Sequence, residues 1–271
     1  MAIITLITDW RNSDYYIGAV KGKILSADSN VQVIDINHNV APHNAMQASF
    51  VLRNCYKEFP VGTIHLIGVN TALSPKRSLL IIEKNGHYFL CSDSGFPDLI
   101  FPEEEKNVYK YALDHSPEST FASLNVFVDA AFQILNNKKL EDISVLTDEY
   151  LVQKPLLPTI DTNVINGSVV YIDSYANIIT NINKETFDRI GKGTNFEILV
   201  QSNHYVIDKV SKSYSDVPTG ELVAIFNSAD LLEIAMCYGP VAQLLDIKVN
   251  STIRVKFSDK KDKNQLLLSG D

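Results

Sequence analysis

The sequence predicts an α/β N-terminal domain built on a mainly parallel sheet, followed by a smaller all-β, barrel-like C-terminal domain. Three observations predict it. In the first part of the chain, buried-strand runs alternate with stretches carrying apolar residues at helical spacing, the order of a parallel sheet covered by helices. Past Val152 that alternation stops and short strand-like runs follow at close intervals. Between the two lies a stretch poor in periodic features and marked by Pro155 and Pro158, which assigns residues 1–158 to the first domain and 159–271 to the second.

The opening run Ile3-Ile4-Thr5-Leu6-Ile7-Thr8 is apolar and β-branched and stops at Asp9, the pattern of a buried strand that delivers an acid to its carboxyl end. From Tyr15 to Ala27, Ile17, Val20, Ile24 and Leu25 mark one buried helical face. Val31 to Ile36 reads as the second strand. Asn44 to Phe59, with Ala45, Ala48, Val51, Leu52 and Tyr56 on one face, reads as a helix stopped by Pro60 and Gly62. Thr63 to Val69 is a third buried strand, ending at Asn70. Leu79 to Glu83 and His87 to Cys91 flank Asn85-Gly86, a dipeptide suited to a two-residue hairpin. Phe121 to Leu135 completes the helices of this half.

In the second half, strands are expected at 168–172, 178–182, 195–200, 204–210, 222–227, 231–236 and 252–257. Val241 to Asp246 is the one helical turn expected there.

Composition narrows the function. The net charge is −8, from 24 basic and 32 acidic side chains. No Lys/Arg cluster offsets it, which excludes a nucleic-acid partner on electrostatic grounds. No apolar stretch reaches the length of a membrane span. Three widely spaced cysteines, Cys55, Cys91 and Cys237, read as reduced and packed, and a cytoplasmic location is expected. No glycine-rich dinucleotide fingerprint, phosphate-binding loop or nucleophile-elbow motif is present. His38 and His43 lie on an expected loop without a further Cys or His nearby, so they read as structural or surface residues and no metal is expected.

What remains is a set of polar residues at strand ends: Asp9, Asp14, Asn70, Arg77, Asp93, Asp173, Tyr175 and Asn177. A carboxylate can accept both hydroxyls of a ribose, and an amide beside an aromatic face suits a purine, so these types fit a polar, partly aromatic small molecule. Asp173 and Asn177 fit equally well an Asx turn between two strands. Ser123 also reads as a helix-start hydroxyl that satisfies backbone donors.

Several segments together resemble the S-adenosyl-L-methionine hydroxide adenosyltransferase family, relatives of the bacterial fluorinases and chlorinases. They are Thr8-Asp9 with Asp14, Val33-Ile34-Asp35-Ile36-Asn37-His38 with Ala41-Pro42, Phe59-Pro60-Val61-Gly62-Thr63-Ile64-His65, and Asp173-Ser174-Tyr175-Ala176-Asn177-Ile178-Ile179-Thr180-Asn181-Ile182. Tyr214 to Glu221, Asn227-Ser228 and Leu232-Glu233-Ile234-Ala235 continue the series.

The resemblance implies a homotrimer holding S-adenosylmethionine between one subunit's N-terminal domain and its neighbour's C-terminal domain. The nucleoside compound is then substrate or ligand, with no other cofactor. It implies that Asp9 binds the ribose and Asp14 the methionine end, with Tyr175 near the adenine. Phe121, Asp173, Asn177 and Ser228 complete the binding set. Two segments depart from the family. Its Asp-Pro-Gly-Val-Gly is here Asn70-Thr71-Ala72-Leu73-Ser74, and its Thr-Phe-His-Gly-Arg-Asp is here Thr120-Phe121-Ala122-Ser123-Leu124-Asn125. Of the family's catalytic Asp, Arg and His, Arg77 alone is kept, and Asn70, Arg77 and Ser123 are the expected nucleophile pocket. Two functions stay open: cleavage of S-adenosylmethionine to adenosine and methionine, or binding without cleavage.

Overall fold

The computed structural model describes residues 2–113, 120–201 and 205–258. The chain forms two compact units, Met1–Pro155 and Leu156–Asp271.

The first unit contains β1 (Ile3–Thr8), α1 (Tyr16–Ala27), β2 (Gln32–Asn37), α2 (Ala45–Arg53), β3 (Ile64–Gly68), β4 (Leu79–Lys84), β5 (His87–Ser92), α3 (Phe96–Ile100), β6 (Asn107–Tyr111), α4 (Val128–Leu135), α5 (Leu140–Ile143) and β7 (Ser144–Leu146). Its seven strands run in the order β2-β1-β3-β5-β4-β6-β7. The β2, β1, β3 and β5 strands are mutually parallel, whereas β4 pairs antiparallel with β5 and β6, and β6 with β7. The sheet is therefore mixed, which corrects the expectation of a mainly parallel one. The cause is local. The hairpin at Asn85-Gly86, with φ of 54° and 74°, folds β5 back between β3 and β4, so that every later strand adds in the antiparallel sense.

Helices cover both faces. Ile4 and Leu6 of β1 pack with Val20 and Ile24 of α1 and with Phe127, Val128 and Ala131 at α4. On the other face Ile7 joins Ala48 and Leu52 of α2 and Phe96, Leu99 and Ile100 of α3. The period-2 alternation of a strand divides β1 between the two cores in this way. Two expected helices are modified. The helix after Asn44 ends at Arg53, leaving Tyr56 in a separate 3-10 turn, Tyr56–Glu58. The helix expected from Phe121 opens with a π-helical turn, Ser123–Phe127, before α4.

The second unit contains β8 (Thr159–Asp161), β9 (Val164–Ile172), β10 (Ile178–Asn183), α6 (Lys184–Gly191), β11 (Asn195–Val200), β12 (Val206–Ile207), β13 (Leu222–Phe226), β14 (Leu231–Met236), α7 (Val241–Leu244) and β15 (Thr252–Ser258). Its strands follow the path β12-β11-β15-β9-β10-β14-β13, with β8 on β9, and the pairings are antiparallel. Just past β12, Val210 bridges Ala224 of β13, and Ser211 N donates to Ala224 O at 2.8 Å. This contact brings the first and last strands of the path together and nearly closes the sheet into a barrel.

The α6 helix was not expected from the sequence. Its Asn183 side chain caps it by accepting from Thr186 N, and only Phe187 and Gly191 are buried, too little for an apolar stripe to show. Phe187 nevertheless lies edge-on to Phe196, Phe226 and Phe257 at 5.0–5.3 Å between ring centres, plugging the barrel. His204, expected in a strand, lies outside the described residues.

Candidate functional site

In the first unit the polar residues gather where the parallel strands end. In the strand order β2-β1-β3, the chain leaves β1 to one side and returns on the other. The switch point is thus between β1 and β3, the crevice where open α/β sheets take ligands. Asp9 follows β1 and Asn70 follows β3, so the topology places both acid and amide there. Backbone geometry is unusual at the same edge: Arg11, His43 and Asn70 adopt φ of 60°, 62° and 54°. Non-glycine residues in the left-handed region cost energy and cluster at ligand sites.

Asp9 Oδ2 accepts from His43 N at 2.8 Å, which ties the β1 acid to the loop after β2. Asn70 is held on three sides. Its Oδ1 accepts from Arg77 Nη1 at 3.1 Å, its Nδ2 donates to Ser94 Oγ at 3.1 Å, and its carbonyl accepts from Ser92 Oγ at 2.8 Å. A cleft of about 410 Å³ opens beside them, lined by Asn70, Arg77, Ser94, the first turn of α2 with His43, and Leu151 and Gln153. Asp93 holds the last segment in place by accepting from Leu151 N at 2.7 Å. This cleft offers a fixed cation, an amide and a hydroxyl, which can orient a small polar nucleophile. Among its lining residues there is no carboxylate to take a proton from it.

Ser123 lies elsewhere. It is buried in the π-helical turn and lines a void of about 10 Å³ with Thr8, Trp10, Gly68 and Phe127, on the α4 face of the sheet. Its Oγ finds no hydrogen-bond partner, so the expected helix-start hydroxyl bond to backbone is not made. Gly68 lets the Trp10 ring approach the strand end, since a Cβ there would stand 2.7 Å from that ring. Phe121 packs edge-on against Trp10 and Tyr16, at 5.3 and 5.0 Å between ring centres. Asp14 is exposed just before α1.

The two loop histidines differ. His38 is buried and its Nδ1 lies 2.8 Å from Thr8 Oγ1, while Nε2 lies 3.1 Å from Asp35 Oδ1. Lys21 and His38 hold the Asp35 carboxyl below its ordinary range against the opposing effect of burial. His43 lies at the cleft. No cluster of three or more His, Cys, Asp or Glu able to hold a metal occurs among the described residues.

The second unit has its own cleft, about 650 Å³, lined by Asp173, Tyr175, Asn177, Tyr214, Met236, Tyr238, Gly239 and Pro240. Asp173 forms the Asx turn and lines the cleft at once. Its Oδ1 accepts from Tyr175 N and Asn177 N at 2.9 and 2.8 Å, and its Oδ2 accepts from Asn177 Nδ2 at 3.2 Å. Ser228 is exposed in the turn between β13 and β14. The cleft begins at Met236, which pairs with Leu222 at the other end of that hairpin.

Sequence reasoning missed the anchor below this cleft. Glu233, 3% exposed on β14, accepts from Tyr214 Oη at 2.7 Å and from Asn227 Nδ2 at 3.0 Å. Burial and the Glu233 carboxylate push the Tyr214 phenol up, so its proton stays on oxygen and the bond runs from phenol to carboxylate. A charged residue inside the apolar run Leu231–Met236 is the signal that identifies it. Glu233→Ala strands both donors and is expected to cost about 2 kcal/mol. The urea unfolding midpoint reads this, and a midpoint equal to that of the unmodified chain would remove Glu233 as the anchor.

Fold and site define a two-unit protein, with one cleft at the switch point of an α/β sheet and another in a barrel-like β unit. Residues 4–144 match the SAM hydroxide adenosyltransferase N-terminal domain and residues 167–254 the C-terminal domain of the same family. The chain belongs to the SAM hydroxide adenosyltransferase family. It is 27% identical to the (R)-S-adenosyl-L-methionine hydrolase of Methanocaldococcus jannaschii, over 93% of this chain and 95% of that protein. It is 22% identical to the fluorinase of an Actinoplanes species, over 93% and 97%. A conserved Thermotoga maritima protein of known crystal structure superposes with a TM-score of 0.83 at 27% identity, covering 94% of this chain and 99% of that one.

Proposed function

We propose that the protein cleaves S-adenosyl-L-methionine: water attacks the ribose 5′ carbon and methionine leaves from the sulfonium, giving adenosine and L-methionine. The new bond is C5′–O. The C5′–S pair returns to sulfur, and the proton lost by water passes to solvent. A sulfonium leaves readily, so the protein's task is to hold water in line and limit its freedom. The observation that carries this proposal is the Arg77–Asn70–Ser94 set at the switch point, one strand from Asp9, in a chain related along its length to S-adenosylmethionine hydrolases.

In this reading Asn70 and Arg77 orient the nucleophile, with Ser123 on the opposite face of the sheet. Asp9 takes the ribose hydroxyls and Asp14 the methionine end. Phe121, Asp173, Tyr175 and Asn177 contribute the remaining contacts, whereas Ser228, at the far end of the β13–β14 hairpin, contributes none in the second cleft. The nucleoside compound is substrate, and no further cofactor is invoked. The reading also carries a cytoplasmic homotrimer, whose mass sedimentation would measure. Among the described residues no helix is long and apolar enough to cross a membrane.

Purified protein incubated with S-adenosylmethionine is expected to release adenosine and methionine in equal amounts, followed by chromatography, with chloride present or absent. Release no faster than in buffer would reject cleavage. Asn70→Asp supplies a carboxylate beside Arg77, and Asp tolerates the left-handed backbone at this position. Because a positioned general base contributes about a hundredfold or more, turnover in this variant is expected to rise by at least about tenfold. An unchanged or lower rate would show that proton removal does not limit the reaction.

A further inference from the structure

Tyr238 is 92% exposed, and its backbone φ is 57°. Each fact alone is unremarked chemistry; together they conflict with stability. A left-handed backbone is costly for a bulky aromatic residue, and Gly or Asn would occupy this position more cheaply. The ring recovers none of that cost by burial.

The surrounding turn is nonetheless built to hold it. Gly239 N donates to Met236 O at 3.0 Å, Cys237 N to Glu221 O at 3.0 Å, and Gly220 N to Cys237 O at 2.8 Å. Ala242 N, just beyond, donates to Ala176 O at 3.0 Å, which pins this turn to the one that carries Tyr175. Ala176 is itself left-handed, with φ of 64°, and Tyr175 is 78% exposed. Two strained turns, stapled to each other, thus each present an exposed tyrosine to one cleft, beside the Tyr214 that Glu233 holds from below. Rigid presentation of aromatic faces with little burial is the arrangement of a stacking platform, on which an aromatic base recovers the cost.

We infer that Tyr238 supplies an aromatic face for the nucleobase of the substrate, making it a specificity-determining residue of the second unit's cleft. This rests on the function proposed above. The cost of the turn is met when the base covers the ring, so Tyr238 serves binding at the expense of folding.

Adenosine and methionine are titrated separately by calorimetry into the full chain and into Tyr238→Asn, Tyr238→Gly and Tyr238→Phe. The Asn and Gly variants are expected to lose about 5- to 150-fold in adenosine affinity, the range of base–aromatic stacking, while methionine binding is unchanged. Their melting temperature is expected to equal or exceed that of the unmodified chain, and Tyr238→Phe to bind adenosine normally. A simple folding role would instead lower the melting temperature. Folded Asn and Gly variants that bind adenosine as tightly as the unmodified chain would overturn this inference alone. Failure of the unmodified chain to bind adenosine or S-adenosylmethionine would overturn the proposed function and this inference with it.

Discussion

Asp9→Ala is expected to weaken nucleoside binding by on the order of a hundredfold while the protein stays folded. The carboxylate stands at the carboxyl end of β1, half-buried, with Oδ2 already accepting from His43 N. That bond uses one of its roughly four acceptor positions, leaving others for vicinal hydroxyls. Two charge-assisted hydrogen bonds at about 1.5 kcal/mol each amount to about 3 kcal/mol, a factor of roughly a hundred. The fold should tolerate the change because His43 is exposed and water can replace the lost acceptor. Titration with adenosine and 2′-deoxyadenosine checks the assignment. The unmodified chain should favour adenosine and the variant should lose that preference, whereas equal affinity of both proteins for adenosine would remove Asp9 from the site.

Acid is expected to destabilise the protein steeply, with His65 the largest single cause. His65 is fully buried on β3, its Nδ1 2.8 Å from Thr5 Oγ1 and its Nε2 3.2 Å from His87 Nδ1. Phe59, Phe89 and the buried Tyr56 ring pack around it, and no carboxylate is among these neighbours. Burial, and secondly the neighbouring His87, lower its pKa from 6.5 to about 3. Burial lowers His87 as well. The unfolded chain therefore binds protons that the folded one refuses. Stability is fully present above about pH 6.5 and is lost as pH falls from there toward 3, at about 1.4 kcal/mol per pH unit for His65 and up to about 5 kcal/mol in all. His65→Gln keeps a neutral polar group but removes the titration. Urea midpoints between pH 7.5 and 5 should then fall less steeply in the variant, whatever its stability at neutral pH. Parallel lines for the two proteins would exclude His65 as the cause.

How far these sites were legible depends on the range over which their signals act. β1 with Asp9, β3 with Asn70, the Asn85-Gly86 turn and the Asp173 Asx turn were all visible, because each is written in a few neighbouring residues. The sense of the sheet was not. It depends on where β5 inserts, which is decided by pairing between β3 and β5 across intervening chain. The helix carrying Phe187 is not legible in the sequence because one buried aromatic ring, rather than a stripe, holds it to the barrel. Motif position sets Ser123 beside Asn70 and Arg77. The sheet places it on the opposite face from their cleft, since successive layers of an α/β fold separate residues that sequence alone sets side by side.

The sequence by itself determined the two-part architecture, the acids at the strand ends and the resemblance to an S-adenosylmethionine-cleaving family. These follow from short-range patterns of burial and turn chemistry. Only the tertiary structure decided that Arg77 and Ser94 clamp Asn70, that Glu233 anchors Tyr214, and that Tyr238 stands strained and exposed beside Tyr175. Those relations join residues far apart in the chain or depend on a single backbone angle, and they form only once the strands have paired.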